Sequence, residues 1–202
     1  MTLGQSLLVV ASLSILGLLV LNSNNTIIET NDIQNDSEFG IAAVSLATSL
    51  VEESMGKMFD AVVADTANTL SDSSLLTPRA SLGHSGAESY RGNIGGTEDF
   101  NDFDDYNNLF LVYKSNNPAD TARTTGSDYE VIVPGLRSKY FVRSRVVYVQ
   151  PGNLNGESMT PTWHKKMIIT VTRPNLHSLR ERQMGQAKAD TLVFPALMSF
   201  WN

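Results

Sequence analysis

The sequence predicts an α+β protein, with a long N-terminal α-helical stalk packed on an antiparallel β-sheet head. Three observations carry this. No ionisable side chain precedes Glu29, and residues 7–21 hold eleven large aliphatic residues broken only by Ala11, Ser12, Ser14 and Gly17. A set of apolar residues at near-helical spacing follows over 37–67. Successive β-branched and aromatic runs then fill 109–202 with no helical pattern between them.

As a helix, residues 3–21 are about 28 Å long at 1.5 Å per residue, close to the bilayer's hydrocarbon thickness of about 30 Å. Burying eleven such side chains is worth on the order of 15–30 kcal/mol at about 1.5–3 kcal/mol each. This segment requires lipid or an apolar substitute. A cleavable secretory signal needs a basic start and a small-residue cleavage site, and neither stands around Met1-Thr2-Leu3-Gly4-Gln5 or Leu21-Asn22-Ser23-Asn24. A plain anchor lacks flanking basic residues to orient it, the first Lys or Arg being Lys57. A third reading puts those basic residues on a leader already removed. Gly17 and the run holding Asn22, Asn24 and Asn25 are poor helix formers, so helix loosening is expected between residues 17 and 26.

The opening Met1-Thr2-Leu3-Gly4-Gln5-Ser6-Leu7-Leu8-Val9-Val10 resembles the mature start of type IV pilins and pseudopilins. That family begins with a methylated Phe or Met, then Thr-Leu, a fifth-position Glu and a long apolar run. Met1, Thr2 and Leu3 match position by position. Gln5 departs, because the family's Glu pairs with a neighbour's N-terminal amine, and an amide makes a weaker partner than a carboxylate. The resemblance implies leader processing by a prepilin peptidase, insertion in the inner membrane, an assembly platform and a secretin as partners, and a homo-polymeric extracellular filament. Assembly would then run through Met1, Thr2, Leu3, Gln5, Leu7, Leu8, Ala11 and Gly17.

Residues 1–36 accordingly read as the hydrophobic helix and a polar linker, and 37–202 as the head. In the head, an amphipathic helix spans 37–67, with Ser37 as N-cap and Val44, Val51, Met55, Met58, Phe59, Val62 and Val63 as its apolar stripe. Residues 68–108, rich in Ser, Gly, Asn and Asp, form a loop facing solvent or a neighbour. Strands are expected over 109–114, 129–133, 139–150, 165–172 and 191–201. In the third, Tyr140, Val142, Val146 and Tyr148 share one face and Arg143 and Arg145 the other. Pro151-Gly152, Asn155-Gly156 and Pro174-Asn175 mark turns. The segments Asp102-Phe103-Asp104-Asp105-Tyr106, Tyr148-Val149-Gln150-Pro151-Gly152-Asn153-Leu154 and His164-Lys165-Lys166-Met167-Ile168-Ile169-Thr170-Val171-Thr172 are together similar to minor pilins of the mannose-sensitive haemagglutinin type.

Charge is split along the chain. Residues 1–113 carry three basic and fifteen acidic side chains, and residues 114–202 carry twelve basic and six acidic. Arg180, Arg182 and Lys188 are thereby candidates to meet the acidic stalk of an adjacent copy. The scattered basic residues and net charge of −6 disfavour nucleic acid as a partner. Asp99, Asp102, Asp104 and Asp105 form the candidate calcium site, although Phe103 and Tyr106 break the EF-hand spacing and Phe100, Phe103 and Tyr106 fit a loop pinned to the head. No cofactor is otherwise implied. The three His residues lack metal spacing, Gly83-His84-Ser85-Gly86 lacks the nucleophile-elbow pattern and no phosphate loop is present, so no enzyme is expected. The function read from the sequence is a structural filament subunit. A minor pilin or pseudopilin, and a single-pass anchored binding module, are the alternatives.

Overall fold

The protein is described by a computed structural model covering residues 3–65, 70–92, 98–115, 129–136, 138–173 and 190–200. It is an α+β protein whose first element, α1 (Leu3–Met55), is followed by a short α2 (Ala61–Asp65) and eight strands. The chain divides into two units, Met1–Ile41 and Ala42–Asn202.

Helix α1 runs unbroken through Gly17, Asn22, Asn24 and Asn25, so the expected loosening is not found. A glycine costs about 1 kcal/mol relative to alanine, whereas breaking a helix forfeits several hydrogen bonds and demands a second costly nucleation. Thr26 and Thr30 also donate their hydroxyls to the carbonyls of Asn22 and Thr26, at 3.1 and 2.8 Å, and add polar cover to this stretch. At its other end α1 stops at Met55, twelve residues short of the expected limit of 67. Gly56 N–H closes a last bond to Glu52 O at 3.2 Å, and Lys57 N–H tightens onto Ser54 O at 3.1 Å. Beyond them Met58 is captured by extended backbone: its N–H donates to Asn101 O at 3.2 Å, and its carbonyl accepts from Phe103 N–H at 2.8 Å. Tertiary pairing thus overrides the helical spacing at Met58 and Phe59, and helix resumes only in α2, which holds Val62 and Val63.

In the second unit the buried face of α1 is Ala43, Ala47, Leu50 and Ser54, one stripe at i, i+4, i+7 and i+11. The larger Val44, Met55 and Met58 of the expected stripe are largely exposed. Small residues at the contact let the helix backbone approach the sheet, as the Ser54 hydroxyl contact with Met167 Sδ at 3.9 Å shows.

The sheet holds β3 (Phe110–Lys114), β4 (Tyr129–Ile132), β5 (Tyr140–Gln150), β7 (His164–Arg173) and β8 (Asp190–Ser199) in the order β4-β3-β5-β7-β8, with β6 (Asn153–Glu157) paired to the end of β5. All pairs are antiparallel except β3 with β4, which is parallel. The sheet is therefore mixed, not purely antiparallel as the order of strands suggested. Strand β6 falls where Asn155-Gly156 was expected to turn. The turn before β6 is Pro151-Gly152, where Gly152 adopts φ +86°, and the expected turn at Pro174-Asn175 lies outside the described residues. A Cβ at Gly156 would meet only the ends of the exposed Asn153 and Gln150 side chains, at 2.9 and 3.2 Å, which can move aside. Pro195 sits in edge strand β8, where its missing N–H costs no interior ladder bond.

Within 68–108, the described residues 70–92 and 98–108 are no solvent-facing loop. Leu76, Leu82, Tyr90, Phe100, Phe103, Tyr106 and Leu109 are buried, and the segment adds the small parallel pair β1 (Glu88–Ser89) and β2 (Glu98–Asp99). Phe100, Phe103 and Tyr106 pin it down, Phe100 meeting Tyr106 edge-on at 5.2 Å. If this packing is right, Leu50→Ala lowers unfolding stability by about 2–5 kcal/mol in a chemical denaturation series, whereas Val44→Ala shifts it by less than about 0.5 kcal/mol. Equal losses at both positions would contradict the assigned helix face.

Candidate functional site

Two features of the protein concentrate unusual physics, one in each unit. In the first unit, residues 7–21 of α1 expose every large apolar side chain, from Val9 at 53% to Leu8 at 73%. The stretch is apolar all round. That pattern belongs to a helix surrounded by lipid or by other helices, not to one lying at an interface with a wet face. Its hydroxyls are satisfied internally: Ser12 donates to Val9 O and Ser14 to Val10 O, both at 2.9 Å, as a nonaqueous setting demands. By length and composition α1 can cross a membrane, its most apolar window reaching a mean hydropathy of 2.2 with nothing buried. Gln5, Leu7, Leu8, Ala11 and Gly17 are all exposed, and the space beside Gly17 is open. Leu3 begins the helix. Met1 and Thr2 lie outside the described residues, as do Arg180, Arg182 and Lys188.

In the second unit, a lysine ammonium lies in the core. Lys165 alternates with Met167, Ile169 and Val171 on the inward face of β7 and is 0% exposed. Its three protons have three acceptors: Phe59 O at 2.8 Å, Asp60 Oδ2 at 2.7 Å and Asp104 Oδ1 at 2.5 Å. The rings of Phe59 and Tyr148 stand 4.6 and 5.3 Å from Nζ and complete the enclosure. Asp60 is itself saturated. It accepts from Val62 N–H at 3.1 Å, from the Thr77 hydroxyl at 2.8 Å and amide at 3.2 Å, and from Tyr148 OH at 3.1 Å. Asp104 opens a 3-10 turn (Asp104–Tyr106), and Asp102 Oδ1 caps it by accepting from the N–H groups of Asp104 and Asp105 at 2.8 and 3.1 Å.

Burial sets the charges in this cluster. It acts to raise the Asp60 carboxyl, but Lys165 and the Thr77 and Val62 hydrogen bonds outweigh it and hold Asp60 below the ordinary value. Burial raises Asp104 despite Lys165. Burial, with the neighbouring carboxyls of Asp104 and Asp105, pushes Asp102 up to about 9. Asp105, also buried, is pushed up to about 6. Breaking a buried ion pair by removing one partner costs about 3–5 kcal/mol, because the other charge is stranded.

A second carboxylate anchors the end of α1. Glu53 accepts from Tyr106 OH at 3.1 Å, Tyr90 OH at 3.2 Å and Arg91 Nε at 3.1 Å, with Arg91 Nη2 also bound. Arg91 has φ +53°, a left-handed conformation that is disfavoured for a side chain with a Cβ. Its guanidinium pairing with Glu53 helps hold that conformation.

The expected calcium arrangement is not the one these carboxylates form. Asp102 and Asp105 accept from backbone N–H groups, Asp104 faces Lys165, and Asp99 is exposed on β2. Among the described residues no group of three or more His, Cys, Asp or Glu side chains is arranged to hold a metal ion. Asp60 and Lys165 were missed as partners in the sequence, where Lys165 figures only as part of a strand. Strand parity was the available signal, since Lys165 shares a face with three apolar residues.

Comparison of the chain with protein-family models finds no match, and comparisons with curated proteins and with solved structures find none.

Because Asp102 is protonated in the folded state up to about 9 but ionises near 3.8 when unfolded, the native state binds more protons between those values. Its contribution to stability therefore falls as pH rises through that range. The melting temperature is expected to decline from weakly acid to weakly alkaline pH, and Asp102→Asn to flatten the decline. An unchanged slope in that variant would contradict the assignment. Glu53→Ala leaves two tyrosine hydroxyls and a guanidinium without their shared acceptor and is expected to cost about 1–3 kcal/mol in thermal or denaturant unfolding.

Proposed function

We propose that this protein is a structural subunit of an extracellular type IV pilus-like filament. The N-terminal helix rests first in the inner membrane and then packs against copies of itself. One observation carries the reading: the apolar surface of residues 7–21 is exposed all round, with its hydroxyls bonded back to the helix. A helix of this kind is stable only in lipid or among other apolar helices. The resemblance of Met1-Thr2-Leu3 and the following run to the pilin start supports the same reading, as does a folded head behind the helix.

Association of apolar helices in the absence of water depends on close packing, which small residues permit. Ala11 and Gly17 are the positions where neighbouring backbones approach, and Leu7 and Leu8 fill the spaces between. In this account Gln5 accepts a hydrogen bond from a neighbour's N-terminal amine, and the head forms the outer surface. A minor pilin or pseudopilin would use the same helix in a short assembly, with prepilin peptidase, assembly platform and secretin as its partners in either case.

The test is assembly in cells producing the full chain. Wild type is expected to give sheared surface fibres in electron micrographs that contain the protein. Leu8→Lys with Leu16→Lys is expected to abolish them, since each charge at the helix centre costs several kcal/mol in an apolar setting. Fibres formed equally well by the double variant would contradict the proposal, as would wild-type protein that is only ever monomeric.

A further inference from the structure

The Lys165 site holds an amine against a carboxyl group under conditions that favour covalent condensation. A nitrogen 2.5 Å from Asp104 Oδ1 has the carboxyl carbon one C–O bond further on, at most about 3.7 Å away, close to the roughly 3–3.5 Å that separates reacting atoms in a near-attack pair. Both partners are fixed, Lys165 by the antiparallel ladders on either side of β7 and Asp104 by its capped turn. Water, which would hydrolyse the product, is shut out: Lys165 and Asp104 are 0% and 2% exposed beneath Phe59 and Tyr148. The ammonium touches a second carboxylate, Asp60, able to take up a proton.

We propose that Lys165 Nζ and Asp104 Cγ condense spontaneously to an amide that joins strand β7 to the turn at Asp104–Tyr106. An ammonium proton passes to Asp104 along their hydrogen bond, leaving a neutral amine and a carboxylic acid. The nitrogen lone pair attacks Cγ and forms the N–C bond. The second nitrogen proton passes to Asp60, and from there to the departing hydroxyl of Asp104 as its C–O bond breaks. One water is released and one amide gained. No oxidant, reductant or cofactor enters the balance, and Asp60 ends as it began.

The choice of Asp104 over Asp60 follows from their surroundings. Asp60 is held as a carboxylate by Val62, Thr77 and Tyr148 besides Lys165, and a carboxylate so engaged is a poor electrophile. Asp104 is raised by burial toward the neutral acid, and Asp102 beside it holds a proton at neutral pH. Asp60 keeps its hydrogen bonds from Val62, Thr77 and Tyr148 once the ammonium is gone. This inference is independent of the filament reading, because the bond forms within one head.

Intact-mass spectrometry of the purified full chain decides it. The folded protein is expected to be lighter than its sequence by one water, with peptide mapping joining Lys165 to Asp104. Lys165→Met and Asp104→Ala are expected to show their full sequence masses, and Asp60→Asn to retain the water or lose it far more slowly. Wild-type folded protein at its full mass would overturn the proposal, whether or not the variants fold. So would a water loss mapped to any other pair, Lys165 with Asp60 included.

Discussion

An apolar surface with nothing to cover it is the constraint on which the rest of this protein depends. Residues 7–21 present eleven large aliphatic side chains, and in the described unit none of that surface is buried. Water does not favour such a face, and on the proposed reading the helix remains in lipid or exchanges lipid for neighbours. A chain under that constraint needs a second unit that folds on its own core, because the first contributes its apolar residues elsewhere.

The head meets this requirement through one buried ionic junction. Lys165 draws together β7, the chain just after α1 at Phe59-Asp60, and the turn at Asp104, three segments far apart in sequence. Around it lies an apolar cluster of Phe59, Val63, Leu70, Leu76, Leu82 and Tyr148. Glu53 makes the corresponding junction between the end of α1 and the aromatic loop at Tyr90, Arg91 and Tyr106. These polar ties do for the irregular 70–109 segment what ladder hydrogen bonds do for the sheet. They leave few ways to pack it.

Much of this was legible in the sequence. The long helix, the order of the strands along the chain and the inward face of β5 follow from periodicity, since Tyr140, Val142, Val146 and Tyr148 alternate with exposed Arg143 and Arg145. Periodicity says nothing of which chain segments meet. Helix α1 ends at Met55 because Met58 pairs with Asp102, an event invisible in local spacing. The buried helix face is the small one, Ala43 and Ala47, because closeness of approach outweighs side-chain bulk there. Lys165 escaped notice because its neighbour Lys166 is equally basic yet lies on the other face of β7, reaching Leu154 O at 2.9 Å. The apolar surface of residues 7–21 is the opposite case: composition alone defines it, and the fold adds that it is unburied.

The central claim is that the apolar helix exchanges lipid for copies of itself. The chain has no cysteine, so a single Leu16→Cys carries a spin label to one defined place on that surface. Electron paramagnetic resonance of the labelled protein, in detergent and then in detergent-free sheared material, reads the surroundings directly. The account predicts isolated, detergent-exposed labels in the first state and strong label-to-label coupling in the second. Labels that stay magnetically isolated in both would contradict it.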